Sequence, residues 1–179
     1  MGEYHGRPYR LQCYDYGQAG CYFITFCTQS RENILSSVGR GLAPGSDPTL
    51  TLSSIGRTLE LQIHALPQRF QSVTIDNYVI MPNHVHLLLS IHGLPGASPR
   101  PTASPRPTAS PRPTVSQIIG VCKSMTTRLA NIADHQPGRK IFQSSYHDHI
   151  IRDENDYLTH WQYIDSNPAG WEDDEYYTA

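Results

Sequence analysis

Two groups of side chains in this chain are spaced for chemistry. Within MPNHVHLLL, Met81 to Leu89, His84 and His86 stand two apart in an apolar, strand-like run. Side chains alternate along a strand, so both imidazoles point to one face while Val85, Leu87 and Leu89 point to the other. The apolar face can bury, and the other presents two nitrogen ligands to one point, a geometry that suits a divalent cation. The same spacing also fits a hydrogen-bonded pair of histidines at a sheet end. The second group lies on a predicted helix near the carboxyl end. Wound at about 3.6 residues per turn, it gathers Tyr157, Trp161 and Ile164 into an apolar stripe, with Leu158 beside it. Asp156, His160, Tyr163 and Asn167 fall on a different face, and Tyr163 and Asn167 are one turn apart. A phenol and an amide oxygen are thus side by side. Alternatively, Tyr163 is a half-buried aromatic at the rim of the core and Asn167 merely ends the helix ahead of Pro168. A further His-x-His, His147 and His149 around Asp148, could orient the first pair or cap a strand.

The elements that must position these residues follow from the patterning around them. Cys21 to Thr28 (CYFITFCT) is β-branched and aromatic and reads as a buried strand, followed by a turn-rich loop from Ser36 to Pro48. Leu52, Ile55, Leu59, Ile63 and Leu66 recur at helical spacing, and Pro67 is expected to end that helix. Val73 to Met81 and His84 to Ile91 read as two strands joined at Pro82-Asn83. Thr114 or Ser116 can cap a helix to about Asp134 with Ile118, Cys122, Met125, Leu129 and Ile132 on one face. Tyr146 to Ile151 is a strand candidate, and Asp153 caps a last helix that Pro168 stops. The order strand, helix, strand, strand, helix, strand, helix predicts an α+β sandwich. Its sheet would be mainly antiparallel, of four or five strands, and its arrangement ferredoxin-like.

The 179 residues predict one domain, with 38% hydrophobic side chains to form its core. Its low-complexity insert, Ala97 to Thr114, repeats ASPRPT three times. Two prolines in each six residues exclude a helical repeat or a central strand, so an extended or disordered loop is expected there. Each repeat carries one arginine (Arg100, Arg106, Arg112), so the loop is either a cationic tether or the product of replication slippage at a tolerant surface. The longest apolar runs are too short to span a bilayer and no signal segment opens the chain, so a cytoplasmic protein is expected. Cys13, Cys21, Cys27 and Cys122 lack the paired spacing of a zinc site and read as small buried hydrophobes. A net charge of −2 excludes a uniformly basic coat, but the charges are segregated. Residues 100 to 152 carry eight basic and two acidic side chains, whereas the last 27 residues carry eight acids and no Lys or Arg. A local nucleic-acid site is compatible with that distribution.

MPNHVHLLL, the block YHDHIIRDENDY (Tyr146 to Tyr157) and YIDSNP (Tyr163 to Pro168) together resemble the HUH single-strand transposases of small bacterial insertion sequences. The resemblance is greatest to their domesticated relatives, the REP-associated tyrosine transposases. YDYGQAGCYFITFCTQSRE (Tyr14 to Glu32) is similar to that family's first strand, and the likeness covers most of the chain outside the ASPRPT repeats. It implies an RRM-like, HUH-type sandwich in which His84 and His86 bind Mg²⁺ or Mn²⁺, Asn167 completes the metal site and Tyr163 is the nucleophile. Tyr157, the competing tyrosine, lies on the apolar stripe and has Trp161 at the position where Tyr163 has Asn167.

The implied substrate is single-stranded DNA carrying a short imperfect hairpin of the repetitive extragenic palindrome type. The implied reaction is cleavage and rejoining through a 5′-phosphotyrosine. A phenol with a pKa of roughly 10 needs help to attack at neutral pH, and a hard cation on a phosphate oxygen supplies it. His160 could assist proton transfer or simply face solvent. Candidate phosphate ligands are Lys123, Arg128, Arg139, Lys140 and Arg152. Monomeric and homodimeric forms, the latter with the tyrosine helix given in trans, both fit. A hairpin-binding protein that no longer cuts is the competing reading. A two-histidine phosphoesterase would need a His-x-Ser/Thr element that the sequence lacks.

Overall fold

The computed structural model describes residues 19–39, 48–93 and 113–178. Cys13, the three repeat arginines and residues 97–112 of the repeat segment lie outside the described residues, as does the middle of the expected 36–48 loop. Strand β1, Gly20–Cys27, is followed by a short hairpin of β2, Ser36–Gly39, and β3, Thr49–Leu52. The start of the expected loop is therefore a strand, and Leu52, the first residue of the expected helical stripe, instead ends β3 opposite Ser36. Next come helix α1, Ser54–His64, helix α2, Leu66–Arg69, strand β4, Val73–Ile80, and strand β5, His84–Ile91. Helix α3, Val115–Ala133, strand β6, His147–Ile151, and helix α4, Glu154–Ser166, complete the order.

The main sheet has four strands in the order β4-β5-β1-β6, and every neighbouring pair is antiparallel. The order is that of the split βαβ units of the ferredoxin-like arrangement, so the α+β expectation holds. The alternation of β1 and β5 sorts the two faces. Tyr22, Ile24, Phe26, Val85, Leu87 and Leu89 belong to the core cluster that also contains residues of α1 and α3. Phe23, Leu88, Val79 and Met81 belong to a smaller cluster on the other face, with Tyr157, Trp161 and Ile164 of α4 and Trp171. His84 and His86 share parity with Leu88, which puts them in the layer beneath α4.

The helix starts follow ordinary capping chemistry. Thr114 accepts from Gln117 N–H while the Gln117 side chain accepts from Thr114 N–H, a reciprocal capping box. Asp153 caps α4 by accepting from Asp156 N–H. α1 and α4 end ahead of the two prolines as expected, and each proline then lies in the first turn of a further helical segment. Pro67 sits in the first turn of α2, after a break at Ala65, and Pro168 sits in the first turn of a 3₁₀ helix, Asn167–Asp173. Proline is tolerated there because first-turn N–H groups have no intrahelical acceptor. Gly56 is set by a close approach: a Cβ would lie 2.0 Å from the Leu35 carbonyl oxygen. Leu35 in turn donates its N–H to Pro82 in the turn that precedes His84.

The face of α3 differs from the expected one at its carboxyl end. Val115, Ile118, Ile119, Cys122, Thr126 and Ala130 are buried, whereas Leu129 and Ile132 are 40% and 62% exposed. A stripe at strict four-residue steps from Cys122 through Thr126 to Ala130 meets α1, and the apolar pattern drifts off it. Ile118→Ala should therefore lower unfolding free energy by about 2–5 kcal/mol, while Leu129→Ala should change it by less than about 0.5 kcal/mol. Urea denaturation of the two variants compares them directly.

Candidate metal centre and nucleic-acid interface

The β4–β5 turn and the β1–β5 register fix the histidine pair. Asn83 and His84 are fully buried and His86 nearly so. Asn83 Nδ2 donates to the Tyr176 carbonyl at 2.7 Å, which orients its Oδ1 as the acceptor for His84 Nδ1 at 3.0 Å. His84 Nδ1 therefore carries the proton, and its Nε2 is a bare lone pair. That lone pair faces His86 Nε2 at 3.0 Å. On the other side of the second ring, Thr25, paired with His86 across the strands, brings its hydroxyl to 2.7 Å from Nδ1. A hydroxyl can donate or accept. Without a cation, Thr25 donates to His86 Nδ1 and His86 Nε2–H donates to His84. With the His86 proton on Nδ1 and Thr25 accepting it, both Nε2 atoms are free as ligands.

Burial keeps both imidazoles neutral. Desolvation, with the Arg31 guanidinium nearby, pushes His84 down to about 3. Desolvation and the His84 ring push His86 down to about 3 as well, against the opposing pull of Asp174. Neutral imidazole is the ligand form, so neither ring has to lose a ring charge before it can ligate at neutral pH.

Helix α4 and the segment after it bring the remaining groups. Tyr163 lies over His86 with ring centroids 5.0 Å apart, edge to face, and is 39% exposed. Burial raises the phenol above its usual range, the Asp174 and Glu175 carboxylates add to the rise, and a hydrogen bond from Asn167 opposes it. Asn167 is buried; its Nδ2 donates to Asp174 at 2.9 Å, and its Oδ1 has no hydrogen-bond partner. A buried amide oxygen left unpaired costs about 1–3 kcal/mol. A cation is one group that would satisfy it. Asp174 also offers a carboxylate oxygen within 4.8 Å of the His84 and His86 ligand nitrogens. Two neutral imidazoles, an orphaned amide oxygen and a carboxylate are a donor set that fits a divalent ion.

Asp174 is a residue that sequence reasoning missed, together with Thr25, Arg31 and Tyr176. Tyr176 is buried against His84, with ring centroids 4.6 Å apart. Arg31, itself in left-handed backbone at φ 55°, lays its guanidinium 5.1 Å from the centre of the Tyr176 ring and donates to the Glu175 carbonyl. Thr25 stands opposite His86 only through strand register, and the others arrive through long-range contacts of the acidic end. None carries a local motif. Tyr157 packs with Trp161, away from the pair, in surroundings that include Asp76 and Cys21.

Of the five cations expected to meet phosphate, four line one open cleft of about 450 Å³ between α3 and the segment before β6: Lys123, Arg128, Arg139 and Lys140. Arg152 is exposed but not part of it. Lys123 is spent internally, donating to the Ser144 and Ser145 carbonyls and lying over Phe26. Arg139 pairs with Asp134 and donates to Asn131. Arg128 and Lys140 are exposed at the cleft.

No protein-family profile matches the chain. An uncharacterized protein of Haemophilus influenzae is 32% identical over 180 residues, covering 98% of this chain and 95% of that one. The chain belongs to that protein's family. Among solved structures, a REP-associated tyrosine transposase bound to a REP hairpin superposes with a TM-score of 0.54 at 19% identity, over 94% of this chain and 73% of that one. The likeness is one of fold: the two chains share the α+β architecture with its four-stranded antiparallel sheet. In this chain the four-stranded sheet carries the histidine pair and α4 carries the tyrosine beside it. No helix among the described residues is long and apolar enough to cross a membrane.

Proposed function

We propose that the chain is a metal-dependent endonuclease and strand transferase acting on single-stranded DNA with a short, REP-type hairpin. The observation that carries this reading is the buried His84–His86 pair, Nε2 to Nε2 at 3.0 Å, with the Tyr163 ring against it. A bound Mg²⁺ or Mn²⁺, held by His84 and His86 with Asn167 or Asp174, would neutralise charge developing on a phosphate. Tyr163 Oη loses its proton and forms a bond to phosphorus, the phosphorus–O3′ bond breaks, and the departing 3′ oxygen gains a proton. The products are a 5′-phosphotyrosine and a 3′-hydroxyl. The ester bond energy is kept, so attack by another 3′-hydroxyl rejoins DNA without ATP. Apolar neighbours hold the phenol on its helix: Phe23 meets Tyr163 edge-on, at a centroid distance of 6.0 Å. Arg128 and Lys140 are the exposed cations suited to the phosphates of a hairpin stem.

A hairpin-binding protein that no longer cuts is the second reading. It is favoured by the burial of His84 beneath Tyr176 and by the upward shift of the Tyr163 phenol.

End-labelled REP-type hairpin DNA incubated with the protein and Mn²⁺ should give a covalent adduct, followed on a denaturing gel. Tyr163→Phe should abolish the adduct and Tyr157→Phe should retain it. Hairpin binding without any adduct selects the second reading. The cleft makes a separate prediction: Arg128→Ala and Lys140→Ala should each weaken binding about equally for all hairpin sequences. Each should also reduce the slope of log affinity against log salt by about 1. Titrations at several salt concentrations measure both.

A further inference from the structure

Beyond the histidine pair of β5, a second group of ligating side chains meets where β6 joins α4. His149 Nε2 lies 3.0 and 2.9 Å from the two carboxylate oxygens of Asp156. His160 Nδ1 lies 3.1 Å from Asp156 Oδ1. The two imidazoles stack with centroids 4.7 Å apart and planes 22° from parallel. One ligand atom from each of the three residues falls within a common span of 4.8 Å. We propose that His149, Asp156 and His160 form a second metal site, for a borderline transition cation such as Zn²⁺, which clamps the first turns of α4 to the sheet.

Three features of the junction support this assignment. The donors are two imidazoles and one carboxylate, a set that suits zinc, nickel, copper or iron rather than the all-oxygen shells of magnesium and calcium. The geometry is fixed by secondary structure: Asp156 and His160 are one helical turn apart, and His149 is held by pairing with Phe23 of β1. The Asp156 carboxylate also accepts the Arg152 backbone N–H at 3.0 Å, a supporting bond of the kind that orients metal ligands. The site is open, because the His149 side chain is 44% exposed. An ion could enter without moving the chain, and water could fill its remaining positions. Binding would displace two hydrogen-bonded contacts. His149 would move its Nε2 proton, now shared with the Asp156 carboxylate, to Nδ1. His160 Nδ1 lies 2.8 Å from the Asp156 carbonyl oxygen, so its proton would move to Nε2 as Nδ1 becomes a ligand.

The consequence reaches the tyrosine. Phe23 lies 4.5 Å from His160, 5.3 Å from His86 and 6.0 Å from Tyr163 between ring centres, so it separates the two groups and touches both. A metal at the second group would fix α4 one turn ahead of Tyr163 and press His160 onto Phe23. This site is independent of DNA cleavage and can be tested without it.

The test is zinc stoichiometry of the full chain, stripped with EDTA and titrated against a chromophoric chelator of known affinity. The expected result is one bound equivalent fewer in His149→Gln than in the unmodified chain, with the same loss in Asp156→Asn. Because His149 is partly exposed, His149→Gln should retain the native circular dichroism. His84→Ala/His86→Ala, where it folds, should keep the equivalent that His149→Gln loses. Zinc should also raise the thermal midpoint of the unmodified chain more than that of His149→Gln. Equal zinc uptake and equal thermal shifts in the unmodified chain and His149→Gln would overturn the proposal, leaving Asp156 as a metal-free bridge between two histidines.

Discussion

Two imidazole nitrogens face each other at 3.0 Å inside a layer that excludes water, and the rest of the site is arranged around that contact. Two bare lone pairs at that distance repel, so something positive, a shared proton or a cation, must lie between them. Each ring is held from behind, His84 by Asn83 and His86 by Thr25, and desolvation opposes charging either one. The sheet supplies the rigidity. Antiparallel pairing of β1 with β5 puts Thr25 opposite His86, and the turn through Asn83 is tied to the Tyr176 carbonyl. The chemistry available to the chain then depends on what α4 and the segment beyond it bring above the pair.

They bring a tyrosine, an unpaired amide oxygen and acidic groups. The acids have opposite effects on the two kinds of group they face. Asp174 raises the Tyr163 phenol and so disfavours the phenolate, yet it is also a candidate ligand for a cation that would favour it. The acidic end does more than offset the basic middle of the chain in the net charge. Asp174 and Tyr176 are parts of the site, held over it by Arg31 and Asn83. The basic middle is itself divided, because Lys123 and Arg139 serve the fold while Arg128 and Lys140 stay exposed.

What was legible in the sequence was whatever a short period or a local motif encodes. The two-residue alternation puts His84 and His86 on one face and Val85, Leu87 and Leu89 on the other, and both assignments hold because the strand is central and covered on both sides. The helical stripe Tyr157, Trp161, Ile164 packs as its spacing implies, which leaves Tyr163 toward the histidines and Asn167 bonded to Asp174. Periodicity cannot tell where a partner stops, so Leu129 and Ile132 continue the pattern of α3 into solvent. Nor can it give cross-strand register or the path of an irregular end. Thr25, Arg31, Asp174 and Tyr176 were invisible for that reason. His149 stands in the sequence as half of a His-x-His, but its partners in the fold are Asp156 and His160 rather than His147.

Under the proposed function the phenol beside the histidine pair, and no other, takes up the DNA. The most direct test is to digest Mn²⁺-loaded protein after reaction with a REP-type hairpin and to locate the attached nucleotide by mass spectrometry within the carboxyl-terminal peptide. That peptide contains Tyr157, Tyr163, Tyr176 and Tyr177 together. The nucleotide is predicted on Tyr163. Attachment to Tyr157, Tyr176 or Tyr177, or no attachment in protein that binds the hairpin tightly, would contradict the account.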